Sequence, residues 1–196
     1  MLCLDYMREF SEYGSLLAWS TLLHDIGKPD TMTVQDRIRF NNHGIHGAKK
    51  AAGILRRLKA QRRLIDGVYD VIENHMNFIN VKQMRVSKLK RFVARETFEQ
   101  ELALHWIDCM ASHGNTENYD FLLEKKQEYD REGLKPDPLI QGRDLISLGL
   151  QPGPLFGEIL SAVYDLQLEG EIETQKEALD WVVKNYIGTS DKQSNL

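Results

Sequence analysis

The chain has 196 residues with 25 Lys and Arg against 29 Asp and Glu, a formal charge of -4; a chain of this length buries roughly 70% of the surface its unfolded form exposes and needs no covalent staples. Two cysteines, Cys3 and Cys109, exclude a disulfide framework and point to a reducing compartment, so a cytoplasmic location is the expectation. No run approaches the ~20 apolar residues of a membrane span, and the first residues lack the basic start and cleavage site of a secretory signal.

In chain order, Met1-Leu2-Cys3-Leu4-Asp5-Tyr6-Met7 reads as the interior of an apolar helix with no cap ahead of it, as if the start were clipped from a longer parent. Leu16, Leu17, Trp19, Leu22 and Leu23 recur at helical spacing, and His24-Asp25 closes that helix before Gly27 and Pro29 stop it. Imidazole nitrogen beside carboxylate oxygen suits divalent Mn, Fe, Co, Ni, Zn or Mg, and a bound ion makes water a usable nucleophile near neutral pH. The pair therefore suggests a hydrolytic metal site at a helix end.

A polar loop is expected over 30–39, then a helix over 43–60 with Ala48, Ala51, Ala52, Leu55 and Leu58 on or near one face. Val68, Val71, Ile72 and His75 share a stripe on the next helix, which turns His75 inward. Leu89, Phe92 and Val93 mark a short helix, and Phe98, Leu102 and Ile107 a longer one carrying Asp108. No strand-period segment competes, since Ile45 and Val81 stand in short or helix-flanked contexts. The expected class is all-α, a helical bundle.

Charge is segregated along the chain. Residues 49–95 hold thirteen Lys and Arg against three acids, a local +10. A solvated helix face explains such a run, and so does a phosphate-bearing or RNA partner, because Lys and Arg neutralise backbone phosphates. Lys49, Arg56, Lys88 and Arg91 are the candidate phosphate or RNA contacts in it.

Near Lys135-Pro136-Asp137-Pro138 the texture becomes that of a stiff linker, so two domains are expected, 1–134 and a smaller helical unit over 135–196. Gln141 to Gly149 reads as a short helix ended by glycine, and Pro152-Gly153-Pro154 starts another with Leu155, Ile159, Leu160 and Val163 inside. A last helix begins at Thr174, where Thr174-Gln175-Lys176-Glu177 fits a capping box, and buries Ala178, Leu179, Trp181 and Val182; the tail from Gly188 is expected to fray.

The order His24-Asp25, His43 after Phe40-Asn41-Asn42, His75 in Glu73-Asn74-His75-Met76 and Asp108 in Trp106-Ile107-Asp108-Cys109 resembles the HD phosphohydrolase superfamily of all-helical metal proteins. The resemblance implies that His24, Asp25 and Asp108 are metal ligands, and that His43 and His75 bind a second ion or the substrate phosphate. It also implies a first histidine on the preceding helix, which residues 1–23 lack, so the expectation is a ligand upstream of Met1 in a longer parent or, if this start is the natural one, water or Asp5 in that place. Asp25 and Lys28 are the catalytic candidates, with Lys28 placed for a substrate phosphate.

Leu139-Ile140-Gln141-Gly142-Arg143-Asp144-Leu145, Pro152 to Glu158 and Leu168-Glu169-Gly170-Glu171-Ile172 are similar to the C-terminal part of bacterial CCA-adding tRNA nucleotidyltransferases and related poly(A) polymerases. That resemblance covers nearly all of this chain and only the back part of that family. The nucleotidyltransferase head needs a Gly-Ser turn followed by paired aspartates, whereas Gly14-Ser15 here leads into Leu16-Leu17-Ala18, so nucleotide addition by this chain alone is not expected. Expected instead is metal-dependent phosphatase or phosphodiesterase chemistry on nucleotides or RNA 3′ ends, the alternative being a non-catalytic RNA- or tRNA-binding body with a vestigial site.

Plainer roles exist for each residue. His24-Asp25 could stabilise helix-end carbonyls, His43 could cap its helix, and Lys28 could be a solvated turn residue; His46 reads as a surface or supporting group, and His105 and His113 as structural. Asp108 in an apolar helix is costly to bury without a cation.

Overall fold

The computed structural model describes residues 2–133 and 136–188. Met1, Lys135 of the expected linker and the expected frayed tail beyond Gly188 lie outside the described residues. The fold is all-α. Helix α1 (Leu2–Tyr6) continues through a 3-10 segment (Met7–Tyr13) to α2 (Gly14–Leu23) and the single turn α3 (Lys28–Thr31). After a small hairpin follow α4 (His43–Arg57), α5 (Arg62–Asn74), a 3-10 stretch (His75–Gln83), α6 (Val86–Val93), α7 (Phe98–Ser112) and α8 (Glu117–Glu132). The chain ends with α9 (Gly142–Ser147), α10 (Pro154–Glu169), α11 (Gln175–Val182) and a π turn (Val183–Ile187).

Two compact units result, Met1–Gln83 with Phe92–Glu128, and Met84–Arg91 with Tyr129–Leu196. In the first, Leu23 meets the small faces of α4 and α5 through Ala48, Ala51, Ala52, Leu55, Ile65, Val68 and Ile72. A neighbouring cluster joins Leu17 and Val71 to Ala103, Leu104 and Ile107 of α7, with Tyr6 and Phe10 packed against it. Glycines permit the chain after α2 to lie close to α4: a Cβ on Gly27 would lie 2.1 Å from the His43 carbonyl oxygen and 2.6 Å from the Gly47 nitrogen. The second unit closes over Ile140, Leu145, Ile159, Val163, Ile172, Ala178 and Val182. Thr174 caps α11 by accepting from the Glu177 N–H, while the Glu177 side chain accepts from the Thr174 N–H, the expected capping box.

Three local expectations are corrected, and one helix stands where none was expected. The segment read as a polar loop contains an antiparallel hairpin, β1 (Met32–Val34) with β2 (Ile38–Phe40), pairing Met32 with Phe40 and Val34 with Ile38. Thr33, Val34, Ile38 and Phe40 are strand formers, but three-residue strands are too short to show alternation against charged neighbours. Leu58, expected on or near the apolar face of its helix, and Leu155, expected inside its own, are 55% and 41% exposed because each lies at a helix end beyond the packed turn. Helix α8 escaped the periodicity reading, as Leu122 and Tyr129 are its buried hydrophobic side chains among mostly polar neighbours.

Candidate metal centre

Three imidazoles are held by the same local device. His24 follows α2, His75 follows α5, and each donates from Nδ1 to the carbonyl three residues back, Thr21 at 2.9 Å and Ile72 at 2.6 Å. His43 opens α4 and does the same to Phe40 at 2.8 Å, its entry angle set by Asn42 in the left-handed region at φ 62°; Asn tolerates that region better than most residues. With Nδ1 occupied as donor, each Nε2 faces the centre, and a ring that is neutral or gives up its Nε2 proton offers there the lone pair a metal takes. The rings are only 6%, 5% and 6% exposed for His24, His43 and His75.

The Nε2 atoms of His43 and His75 stand 3.0 Å apart. Two lone pairs at that distance repel unless a proton or a cation lies between them, and nitrogens so spaced subtend about 90° at an ion about 2.1 Å from each. Asp25 faces this pair with one oxygen and His24 with the other: Oδ1 is 3.5 Å from His43 Nε2, and Oδ2 is 3.4 Å from His24 Nε2. Asp108 Oδ1 lies 3.6 Å from His24 Nε2. These separations are too long for hydrogen bonds, and His24 Nε2 is buried without one. They do match donors that share an ion at about 2.1 Å. The residues present therefore fit a divalent cation.

The electrostatics lean the same way. Burial opposes protonation of His24, but the facing carboxylates of Asp108 and Asp25 outweigh it and push the imidazole up to about 10. Burial likewise opposes ionisation of Asp25, and His24 with Lys28 overcomes it to hold the carboxyl well below its usual range. Asp108 is lowered, chiefly by His24. His75, by contrast, is pushed down to about 4 by burial, so it is neutral at neutral pH and available as a donor. The pocket around His24 demands positive charge, which a metal supplies as well as a proton does.

All five residues expected as ligands, His24, Asp25, His43, His75 and Asp108, thus stand together, within the first unit. Lys28 is there too, but its Nζ donates to Asp25 Oδ2 at 2.6 Å and sits 5.8 Å over the Phe40 ring. A cleft of about 500 Å³ runs past Asp25, Lys28, His43, His75 and Asp108, with Arg37 and Arg39 from the hairpin on its wall. Lys49 and Arg56 are exposed on α4 and do not line it; Lys88 and Arg91 belong to the second unit, where Arg91 bonds Asp165 at 2.7 Å and stacks on Tyr164. Asp5 is an exposed partner of Arg8 at 4.0 Å, not a donor to the cluster. His46 and His113 are exposed, while His105 stacks on Phe78 with centroids 4.7 Å apart.

Sequence reasoning missed Cys3, whose sulfur stands with His24 and Asp108, and the spacing role of Gly27. The signal for the second was legible in His43-Gly44-Ile45-His46-Gly47-Ala48, a small-residue face that invites close approach. The first had none, since a single thiol in an apolar helix announces nothing.

Residues 43–182 match the family model described as "tRNA nucleotidyltransferase domain 2 putative". The chain is similar to an A-adding tRNA nucleotidyltransferase of Deinococcus radiodurans, 31% identical over 85% of this chain and 41% of that protein. It is also similar to CC-adding tRNA nucleotidyltransferases of Thermus thermophilus, 29% identical over 81% of this chain and 37% of that protein, and of Synechocystis, 27% identical over 67% and 32%. No solved structure matches. The chain spans about two fifths of the length of the first two relatives. With the family model covering most of its length, the chain belongs to the tRNA nucleotidyltransferase domain 2 family.

Proposed function

We propose that this chain is a metal-dependent phosphohydrolase of HD type, acting on nucleotides or RNA 3′ ends within a tRNA-processing protein. The observation that carries the reading is the 3.0 Å approach of His43 and His75 Nε2, both rings having spent Nδ1 on a backbone carbonyl. Two bare lone pairs cannot face each other at that distance beside a carboxylate, and a cation resolves the conflict as a shared proton also would.

When bound, a divalent ion supplies Lewis acidity toward a phosphoryl oxygen and eases deprotonation of water. The chain's own residues do the rest. His24, Asp25 and Asp108 would hold the ion, and His43 with His75 would help hold a second or bind the substrate phosphate. Lys28 keeps Asp25 ionised and oriented through the 2.6 Å bond, and Arg37 on the cleft wall offers positive charge to a substrate phosphate, the neighbouring Arg39 being held by Asp36. The relatives' tRNA substrates make a tRNA 3′ end the substrate class to test first.

The test is release of phosphate or nucleotide from p-nitrophenyl phosphate and 2′,3′-cyclic nucleotides in the presence of Mn, Ni, Co or Mg. Turnover should need the metal and fall at least 100-fold, on the order of 3 kcal/mol of barrier, in His75→Ala. Absence of any metal-dependent release sinks the enzyme reading. One observation favours a second role, non-catalytic RNA binding: exposed basic side chains such as Lys49 and Arg56 lie outside the cleft wall. A metal-free protein that binds tRNA with a steep salt dependence would establish that role instead.

A further inference from the structure

We propose that Cys3 is a metal ligand, its thiolate completing a Cys3–His24–Asp108 site that takes a borderline-soft divalent cation such as Zn, Co or Fe in preference to Mg. The inference deepens the proposed metal reading and rests on it.

Three observations carry it. Cys3 Sγ, His24 Nε2 or Nδ1 and an Asp108 oxygen lie within 4.8 Å of one another, and bonds of about 2.3 Å to sulfur and about 2.1 Å to nitrogen bring such a set onto one ion with small movements. His24 Nε2 is buried, has no hydrogen-bond partner, and is flanked by carboxylate oxygens at 3.4 and 3.6 Å, so it is a donor aimed at a position where an ion belongs. The three residues come from α1, the end of α2 and α7, distant in sequence and brought together by the cluster that packs Leu17 on Leu104 and Ile107. A cleft of about 370 Å³, which shares Asp25, Lys28 and Asp108 with the hairpin-side cleft but none of the hairpin's residues, opens onto Cys3 and His24 and gives an ion its route in.

The chemistry follows from the donor set. Binding forms an Sγ–metal bond, the thiol proton leaves to solvent, and nothing is oxidised or reduced. Sulfur discriminates against Mg and Mn, which prefer oxygen donors, while imidazole and carboxylate accept all the candidates. The two positions around Asp25 then differ in kind. The Cys3 side is selective, and the His43–His75 side is permissive.

The test uses cobalt(II) as the probe. Wild-type protein loaded with cobalt should show a near-ultraviolet sulfur-to-cobalt charge-transfer band that persists in Cys109→Ala, whose sulfur lies beside His105 rather than in the cluster. Cys3→Ser should lose the band and weaken cobalt affinity by about 100-fold or more, since even supporting residues cost 10–100-fold. Cys3→His should also lose the band yet hold cobalt, which separates ligation from folding. Cobalt bound by wild type without the band overturns the Cys3 assignment and leaves the wider metal reading standing. Failure of wild type to bind cobalt at all overturns both.

Discussion

The first unit carries almost every buried polar side chain of the described residues, Ser20, Thr21, His24, His43, His75 and Glu101, whereas the second buries Ser87, which donates to Glu169 at 2.6 Å. The core of the second unit is a packing solution of Leu145, Ile159, Val163, Ala178 and Val182. The contrast teaches where chemistry sits, because burying imidazole and carboxylate costs free energy that apolar packing does not, and a fold tolerates that cost where the groups act together. Two kinds of buried charge share the first unit. Glu101 is answered by Arg95 and by the Thr97 hydroxyl at 2.7 Å, while His24 Nε2 has no such partner.

The sharpest break in that contrast is Glu101→Ala. It strips the partner from Arg95, whose side chain is 27% exposed, and should cost about 3–5 kcal/mol in denaturant unfolding without altering metal affinity directly. Next comes Gly27→Ala, expected to cost about 3 kcal/mol, the upper end of overpacking, because its methyl meets backbone at 2.1 Å that cannot swing away; metal binding should fail with it, since His43 must move. Cobalt binding retained in that variant, despite the forced displacement, would mean that the approach of α4 is not what assembles the cluster.

A third experiment uses acid. Burial lowers His105 to about 4, so between about 4 and 6.5 the unfolded chain binds a proton that the folded chain refuses, and stability falls as pH drops through that window. His105→Leu should flatten the slope by at most about 1.4 kcal/mol per pH unit. Some slope should remain, because His75 is also lowered to about 4 by burial. The smallest effect is in the second unit: Gly157 lies within α10 with nothing inside 4 Å of a built Cβ, so Gly157→Ala should gain about 0.5–1 kcal/mol and leave metal affinity unchanged.

Helices with a full apolar stripe were legible from residues alone: Val68, Val71, Ile72 and His75 fall on one face of α5 and its continuation, and Thr174 with Glu177 marks the start of α11. The five polar residues at the centre were legible as types in an order. Their convergence was expected only through the resemblance and not from spacing, since it depends on Gly27 and Gly47 letting backbones approach. Helix α8 and the hairpin hid for opposite reasons, one too polar to show a face and the other too short to show a period.

The three carbonyls that receive the imidazole Nδ1 protons have a consequence for how an ion arrives. Thr21 and Ile72 lie in the last turn of their helices, so each ring is tied to a helix end and is itself locked in rotation. An incoming cation consequently spends little of its affinity on freezing side chains. Unwinding a single turn at the end of α2 or α5 releases the ring it anchors, so ion release and local melting of those termini should proceed at a common rate.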